Sequence, residues 1–270
     1  MRDRLTSNPP SEDAPPLLSD PWFYAAAVPS VLLVGLSKGG LGGAAALIGV
    51  PLMALVVPPV QAAAILLPIL IVMDMVSLWL WRGNRDWTTL RFMLPGALIG
   101  IALGWLLAAV VTEAMVRLIV GVVALAFFLR WFATRLAGSE HRSGHSVVRG
   151  GFWGIVSGFT SFVAHAGGPP YQVYALSLGQ EPRTYVGTSV IYFAIVNAVK
   201  LLQYFALGQF DAANLTASAV LMPIAPLATI AGAWIVRRMN AATFYPFMYS
   251  MVFVVAIKLI YDGLFSLLDG

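Results

Sequence analysis

The chain has 270 residues, of which 59% are hydrophobic and only 10% are charged, and its formal net charge is +4. Soluble domains carry about 25% charged residues, so this composition excludes an ordinary water-soluble globular fold. The chain has no cysteine, which excludes disulfides, thiolate metal sites and cysteine nucleophiles. Its apolar runs are continuous rather than alternating, which favours helices that span a lipid bilayer over a lipid-facing β-barrel.

The first segment, residues 1–21, is predicted to be a disordered N-terminal tail. It is rich in charged residues and proline and has no apolar core, so it does not have the pattern of a cleavable signal peptide. A first repeat is predicted over residues 22–132. It contains one apolar run broken by glycines, followed by three unbroken runs: Trp22–Val57 with the glycine cluster Gly35–Gly43, then Pro59–Trp81, Thr88–Val111 and Glu113–Phe132.

A polar segment, residues 133–149, is predicted to be a cytoplasmic linker, and a second repeat is predicted over residues 150–270. The second repeat has the same order of runs: Gly151–Leu178, broken near Gly167–Pro170, then Thr184–Leu207, Ala212–Val236 and Ala241–Leu264. Glycine pairs 42–43 and 167–168 are 125 positions apart, and Pro95 with Gly104 recurs 128 positions later as Pro223 with Gly232. This spacing indicates an internal duplication.

The sequence therefore predicts an all-α polytopic membrane protein with two inverted-topology repeats, each a broken or re-entrant helical hairpin plus three transmembrane helices. If each broken run returns as a hairpin, most arginines fall in loops on one side, which the positive-inside rule makes the cytoplasm. Both termini are then periplasmic, on a multi-pass protein of the bacterial inner membrane. The first arm, Val28–Ser37, is about 15 Å of helix, half of a bilayer core. Kinked crossings in place of hairpins are left open.

The two glycine breaks are the first candidate site. Backbone that is not helical survives at membrane depth only where protein buries it or where it lines a wet cavity. Two short helices that start at the breaks aim their positive ends at a common point, which favours an anion. The predicted substrate-binding glycines are Gly39, Gly40, Gly42, Gly43, Gly167 and Gly168. The alternative is that these glycines only allow close helix packing.

Polar side chains accompany both breaks. Lys38 lies inside the first one, where an ammonium at membrane depth needs a partner or a role. His165 lies at the second break and is predicted to contact the anion and to carry a proton. The hydroxyls of Ser37, Thr160 and Ser161 are further predicted substrate contacts, although such hydroxyls also bond to helix carbonyls. A lysine that reaches the interface and a structural histidine are the alternatives.

Asp74 and Lys200 are charges well inside predicted crossings, at similar depths in equivalent helices. The sequence predicts that they form an ion pair or coupling pair between the two repeats, with Lys200 at the anion site and Asp74 exchanging a proton. Mutual neutralisation for structural reasons is the alternative. Asn197 lies one turn before Lys200 and is a further polar candidate.

No catalytic, nucleotide-binding or metal-binding motif is found, and the three histidines do not cluster. The sequence thus predicts no enzyme activity, no cofactor and no metal. The predicted partners are a small inorganic or organosulfur anion and membrane lipid, with no nucleic acid, and a homodimer is left open.

The glycine breaks with Pro51, and the stretch Arg85–Trp87 before Pro95, resemble the TauE/SafE sulfite exporter family, from about Val28 to Leu264. The resemblance implies a permease linked to the proton-motive force that moves sulfite, thiosulfate or organosulfonates, usually outward and usually across bacterial inner membranes. Only the two glycine breaks map onto the family motif. The predicted function is a proton-linked, alternating-access secondary transporter with a midplane anion site. A passive anion channel and an uptake permease of the same family are the alternatives.

Overall fold

Long helices make up the protein. A computed structural model describes residues 17–41, 49, 52–107, 110–138, 143–206 and 212–268, and these ranges contain no strand. The helices are α1 (Pro21–Leu36), α2 (Pro59–Trp81), α3 (Trp87–Leu107), α4 (Glu113–Leu136), α5 (Val147–Ala164), α6 (Gly168–Ala175), α7 (Pro182–Ala206), α8 (Ala212–Leu221), α9 (Ile224–Arg237) and α10 (Ala241–Leu268).

Six of the helical segments are long and apolar enough to cross a membrane, and α8 and α9, bent by 46° at a short break, make a seventh if they count as one span. α7 has 25 residues, about 37 Å, which also exceeds the thickness of a bilayer core. The predicted all-α polytopic membrane fold is therefore confirmed. The helix bounds shorten the predicted linker, because α4 continues to Leu136 and α5 begins at Val147.

The start of α1 corrects the predicted tail, of which residues 1–16 lie outside the described ranges. Leu17–Ser19 form a 3-10 turn, and the hydroxyl of Tyr24 donates to the carbonyl of Leu18 at 3.0 Å. The carboxylate of Asp20 accepts the backbone N–H of Trp22 at 2.9 Å, which is how an acidic residue caps a helix start. Disorder up to residue 21 was thus a wrong expectation for its last five residues.

The first arms of the broken runs are longer than half a bilayer, which is a second correction. α1 has 16 residues and α5 has 18, about 24 and 27 Å of helix. The prediction started the first arm at Val28, but Pro29 lies inside a continuous helix. A proline within a helix removes one hydrogen bond and bends the helix, and the capped start at Pro21 determines where α1 begins.

Each broken run doubles back on itself. After the first break, the carbonyl of Gly49 accepts a hydrogen bond from Ser30 of α1 at 2.6 Å. After the second break, a 3-10 turn (Leu176–Leu178) follows α6, and the Ser177 carbonyl accepts the N–H of Ser143, which precedes α5, at 2.8 Å. Both runs therefore return towards the side from which they start.

The breaks themselves have related backbone conformations. A π-type turn, Ser37–Leu41, follows α1 and contains Gly40 with φ 133°, a conformation that needs glycine. His165 ends α5 with φ 53°, a left-handed conformation that a residue other than glycine adopts at a cost. Gly40 and His165 are 125 positions apart, the spacing at which the glycine pairs recur.

The two breaks lie towards opposite ends of the bundle. Gly40 approaches Val186, near the start of α7, and Val236, near the end of α9. Ala164 shares an apolar cluster with Val116, near the start of α4. Since α4 and α10 run antiparallel, with Gly263 against the first turns of α4, the start of α4 is opposite the end of α9. The hairpin tips therefore pass each other and do not meet tip to tip.

Helix pairs across the two halves have matched directions. α1 runs parallel to α9, and α5 runs parallel to α3. α2 and α7 are antiparallel, as are α4 and α10. The close approaches that fix these directions are Gly35 with Ala228, Gly232 with Leu36, Gly96 with Gly151, Gly100 with Ile155, Asn84 with Gly187 and Gly121 with Ala256.

Glycines let α3 and α5 cross in backbone contact. A Cβ at Gly96 or Gly100 would overlap a carbonyl oxygen of α5, and one at Gly154 or Gly158 would overlap a carbonyl oxygen of α3. Small residues allow such contact between helices in lipid. This crossing fixes the first arm of the second hairpin against α3.

We expect Gly158→Ala to destabilise the protein by about 1–3 kcal/mol, because the methyl group overlaps the Ala97 carbonyl and forces the helices apart. Gly151→Ala is the matched control on the same helix, since a Cβ there meets nothing within 4 Å. Thermal unfolding in detergent measures both variants. Equal melting temperatures for them would contradict the close crossing.

Candidate functional site

The centre of the site is an ion pair between the first break and α2. The ammonium of Lys38 lies 2.5 Å from the Asp74 carboxylate, and their side chains are only 16% and 13% exposed. The second carboxylate oxygen of Asp74 accepts the side-chain amide of Asn197, on α7, at 3.0 Å. Asp74 thus joins the first hairpin to a helix of the other half of the chain.

Side chains of α2 also donate hydrogen bonds to backbone carbonyls that the first break leaves without a helical partner. The hydroxyl of Ser77 donates to the Lys38 carbonyl at 2.8 Å, and the indole N–H of Trp81 donates to the Gly39 carbonyl at 3.1 Å. A buried carbonyl without a partner is costly. Asp74, Ser77 and Trp81 follow each other at intervals of three and four residues, so one face of α2 binds the break.

Lys200 forms the other half of the site. Its ammonium donates to the carbonyl and to the hydroxyl of Ser161, each at 3.1 Å, and the residue is only 9% exposed. The predicted direct ion pair of Asp74 with Lys200 is therefore wrong, because Asp74 pairs with Lys38. Along α7, Asn197 is the residue that reaches Asp74, and Lys200, one turn further, reaches α5 instead.

The charges of this cluster do not balance. Lys38 and Lys200 bring two positive charges, and among the described residues Asp74 is the carboxylate that accompanies them. Burying an ammonium is costly unless it is paired. An anion between the two lysines would neutralise the remaining charge. The cluster is thus suited to a small oxyanion, with Lys200, Ser161 and Asn197 as hydrogen-bonding partners.

The hydroxyls at the second break mostly hold its backbone. Thr160 donates to the carbonyls of Val156 at 2.8 Å and of Ala166 at 3.2 Å. Ser157 donates to the carbonyl of Gly167 at 2.8 Å. Thr160, a predicted substrate contact, is thus engaged by the turn, whereas Ser161 contacts Lys200. This is the local hydroxyl-to-carbonyl bonding that was the alternative interpretation.

His165 and the start of α6 form the second break. The side chain of His165 is exposed while those of Ala164 and Ala166 are buried. Pro169 and Pro170 follow Gly168 at the start of α6, and proline has no backbone N–H. Only Gly168, among the first three residues of α6, can donate to an anion there, so the helix start is a weaker donor group than predicted.

Of the remaining predicted residues of the first break, some have a described structure and others do not. Gly39 and Gly40 are buried in the π-type turn, and Ser37 caps α1 through its backbone N–H. Gly42 and Gly43 lie outside the described residues. The sequence interpretation missed Ser77 and Trp81 as partners of the break. Their spacing from Asp74 on one helix face was the signal that pointed to them.

A second polar network lies in the loop between α2 and α3, at the end that bears the arginines. The Asp86 carboxylate accepts hydrogen bonds from the side chains of Thr89 and His145, each at 2.6 Å, and from the side-chain amide of Gln180 at 2.5 Å. Burial raises the pKa of Asp86, but hydrogen bonds from Thr89, His145 and the N–H of Thr88 outweigh it and hold the pKa below its ordinary value of 3.8. Asp86 thus ties this loop to the segments before α5 and α7.

We expect Asp86→Asn to lower the melting temperature at neutral pH. The lowered pKa means that the Asp86 carboxylate stabilises the fold above its unfolded pKa, and that this stabilisation is lost as the pH falls through the folded value. The difference between variant and wild type should therefore shrink below about pH 4. Glu113→Gln, which removes an exposed pair with Arg117, is the control and should change little. A pH-independent difference would contradict the role of the charge.

Comparison with known protein families identifies the chain. The model of the sulfite exporter TauE/SafE family matches residues 27–259, most of the sequence. The chain belongs to the TauE/SafE family. Searches of characterised proteins and of solved structures give no significant match. TauE/SafE membership implies a multi-pass membrane exporter of sulfite or related sulfur anions, and TauE/SafE proteins are transporters rather than enzymes.

Proposed function

We propose that this chain is a secondary transporter that exports a small sulfur oxyanion, such as sulfite or an organosulfonate, across the bacterial inner membrane. The observation that carries the proposal is the buried cluster at the crossing of α2 and α7, where Lys38 and Lys200 outnumber the carboxylate of Asp74. The anion binds between the lysines. Of the three ammonium protons of Lys200, two are donated to Ser161, and the third is donated to the anion.

We further propose that proton exchange at Asp74 couples to anion binding. The carboxylate and the anion compete for Lys38, so a proton on Asp74 favours the anion, and proton and anion travel together. A sulfite dianion with one proton moves one net negative charge. A membrane potential of about 100 mV, negative inside, favours its export by about 2.3 kcal/mol, which exceeds the roughly 1.4 kcal/mol with which an opposing pH difference of about one unit acts.

Alternating access is proposed to arise from two inverted repeats, residues 22–132 and 150–270, joined by a cytoplasmic linker, 133–149. The matched helix directions and the left-handed residues Gly40 and His165 support this arrangement. The start of α1 at Pro21 and the end of α10 at Leu268 both lie opposite the loops that bear the arginines, which supports periplasmic termini. Impermeant labelling of Ser266→Cys from outside the cell tests this orientation, and labelling only from inside would refute it.

Proteoliposomes loaded with radioactive sulfite test the transport proposal. We expect slow, saturable efflux that a negative internal potential accelerates, with co-movement of protons. Purified protein without saturable flux would refute it. Large single-channel currents in a planar bilayer would instead indicate a passive anion channel, and a requirement for an inward proton gradient would indicate an uptake permease.

A further inference from the structure

An open cleft lies at the end of the bundle that bears the arginines, away from the central cluster. It is formed by the segment before α7 and the segment between α9 and α10, and its volume is about 660 Å³, within the usual range for ligand sites. Its lining includes Glu181, Arg183, Arg237, Asn240 and Tyr245.

The cleft concentrates positive potential from several sources. The Arg183 guanidinium donates to the Arg237 carbonyl at 3.5 Å, and both arginines line the cleft together with Glu181, which is the opposing charge. α7 begins at Pro182 and α10 begins at Ala241, which brings the positive ends of two long helices to the same opening. Two guanidinium groups and two helix starts at one cavity suit an oxyanion.

A continuous chain of contacts connects the cleft to the central cluster. The Arg237 guanidinium lies 5.2 Å from the centre of the Trp81 ring and donates to the carbonyl of Leu80. Trp81 is buried, and its indole N–H holds the carbonyl of Gly39, the residue after Lys38. A ligand bound at Arg237 is therefore linked to the first break through two contacts, from Arg237 to Trp81 and from Trp81 to Gly39.

We propose that this cleft is a second anion site, a loading site at the cytoplasmic mouth that binds a sulfonate or sulfite group before it passes Trp81 and reaches Lys38. The loading role rests on the proposed transport function. The binding chemistry, a cleft lined by two arginines that attracts one oxyanion, is independent of it. A free sulfonate and the phosphate of an anionic lipid share that chemistry, and the experiment below separates them.

The test uses the absence of native cysteine. Ala241, exposed at the cleft, is changed to cysteine, and the purified full-length protein in neutral detergent reacts with an anionic sulfonatoethyl or a cationic trimethylammonium methanethiosulfonate reagent. Relative to the ratio of the two rates at Ser266→Cys, we expect the anionic reagent to be favoured about tenfold, and we expect Arg183→Gln to remove most of that preference. Glu181→Gln, which removes the opposing charge, should increase it. Ser266→Cys, at the far end of the same helix, is the control and should show no such dependence.

Ethanesulfonate should protect Ala241→Cys in both the otherwise wild-type and the Lys200→Met proteins. This result distinguishes the cleft from the central site. If Lys200→Met abolishes transport, the preference of Ala241→Cys for the anionic reagent should still be present. A ratio of the two rates equal to that at Ser266→Cys, or a preference that Arg183→Gln leaves unchanged, would overturn the proposal. So would protection by phosphatidylglycerol without protection by ethanesulfonate, which would assign the cleft to a lipid headgroup.

Discussion

Replacement of Lys200 by methionine is expected to abolish sulfite binding and to lower transport at least about 100-fold, while the fold persists. The ammonium is buried, and among the described residues its hydrogen bonds go to Ser161 and not to a carboxylate. Burying an ammonium without a paired carboxylate is costly, and an apolar side chain of similar volume removes that cost. The melting temperature without sulfite should therefore stay the same or rise.

Two measurements separate the roles of Lys200. Sulfite raises the melting temperature of a protein that binds it, and this shift should vanish in Lys200→Met together with flux in proteoliposomes. Lys258→Met is the matched control, because Lys258 pairs with Asp262 on the same helix, at 2.6 Å and away from the cluster. Flux at the wild-type rate in Lys200→Met would show that Lys200 does not contribute to the site. A lost fold would show as a lower melting temperature without sulfite.

Asp74→Asn is expected to bind anions about tenfold more tightly at neutral pH and to lose the pH dependence of binding. The substitution keeps the shape of the side chain but leaves the Lys38 ammonium, 2.5 Å away, without its carboxylate, so an anion no longer competes for it. In the wild-type protein, binding should strengthen as the pH falls, because a proton on Asp74 has the same effect. Transport driven by a proton gradient should disappear.

The measurement is binding of ethanesulfonate, whose own charge is constant across the pH range, to both proteins. Lys38→Met with Asp74→Asn is the informative double variant, because it removes the pair and should return the affinity towards or below the wild-type value. If Asp74→Asn kept the pH dependence of the wild type, the proton would be carried elsewhere, and His165 would be the residue to test next.

Much of the fold follows from the order of apolar runs. The breaks near Gly40 and Gly168, the crossings between them and the position of Lys38, Asp74 and Lys200 inside the bundle were all predicted, because glycine clusters and buried charges are conspicuous in an apolar chain. The family resemblance was confirmed by the match over residues 27–259.

The partners of the charges could not be predicted in the same way. The pairing of Lys38 with Asp74 depends on how deep the first hairpin reaches beside α2, and that depth depends on the cap at Asp20 and on a helix that continues past Pro29. The engagement of Thr160 by Ala166 depends on the turn that His165 forms. Both are tertiary or local backbone effects that periodicity does not encode.

The unlike residues at the two left-handed positions have a consequence for the resting state of the transporter. Gly40 adopts its conformation without a side-chain penalty, whereas His165 bears a cost of roughly 1 kcal/mol. If the repeats exchange conformations during the cycle, the inward-open and outward-open forms are not mirror images in free energy. Without substrate, the protein then populates mainly one of the two forms, and His165→Gly would change the ratio of their populations.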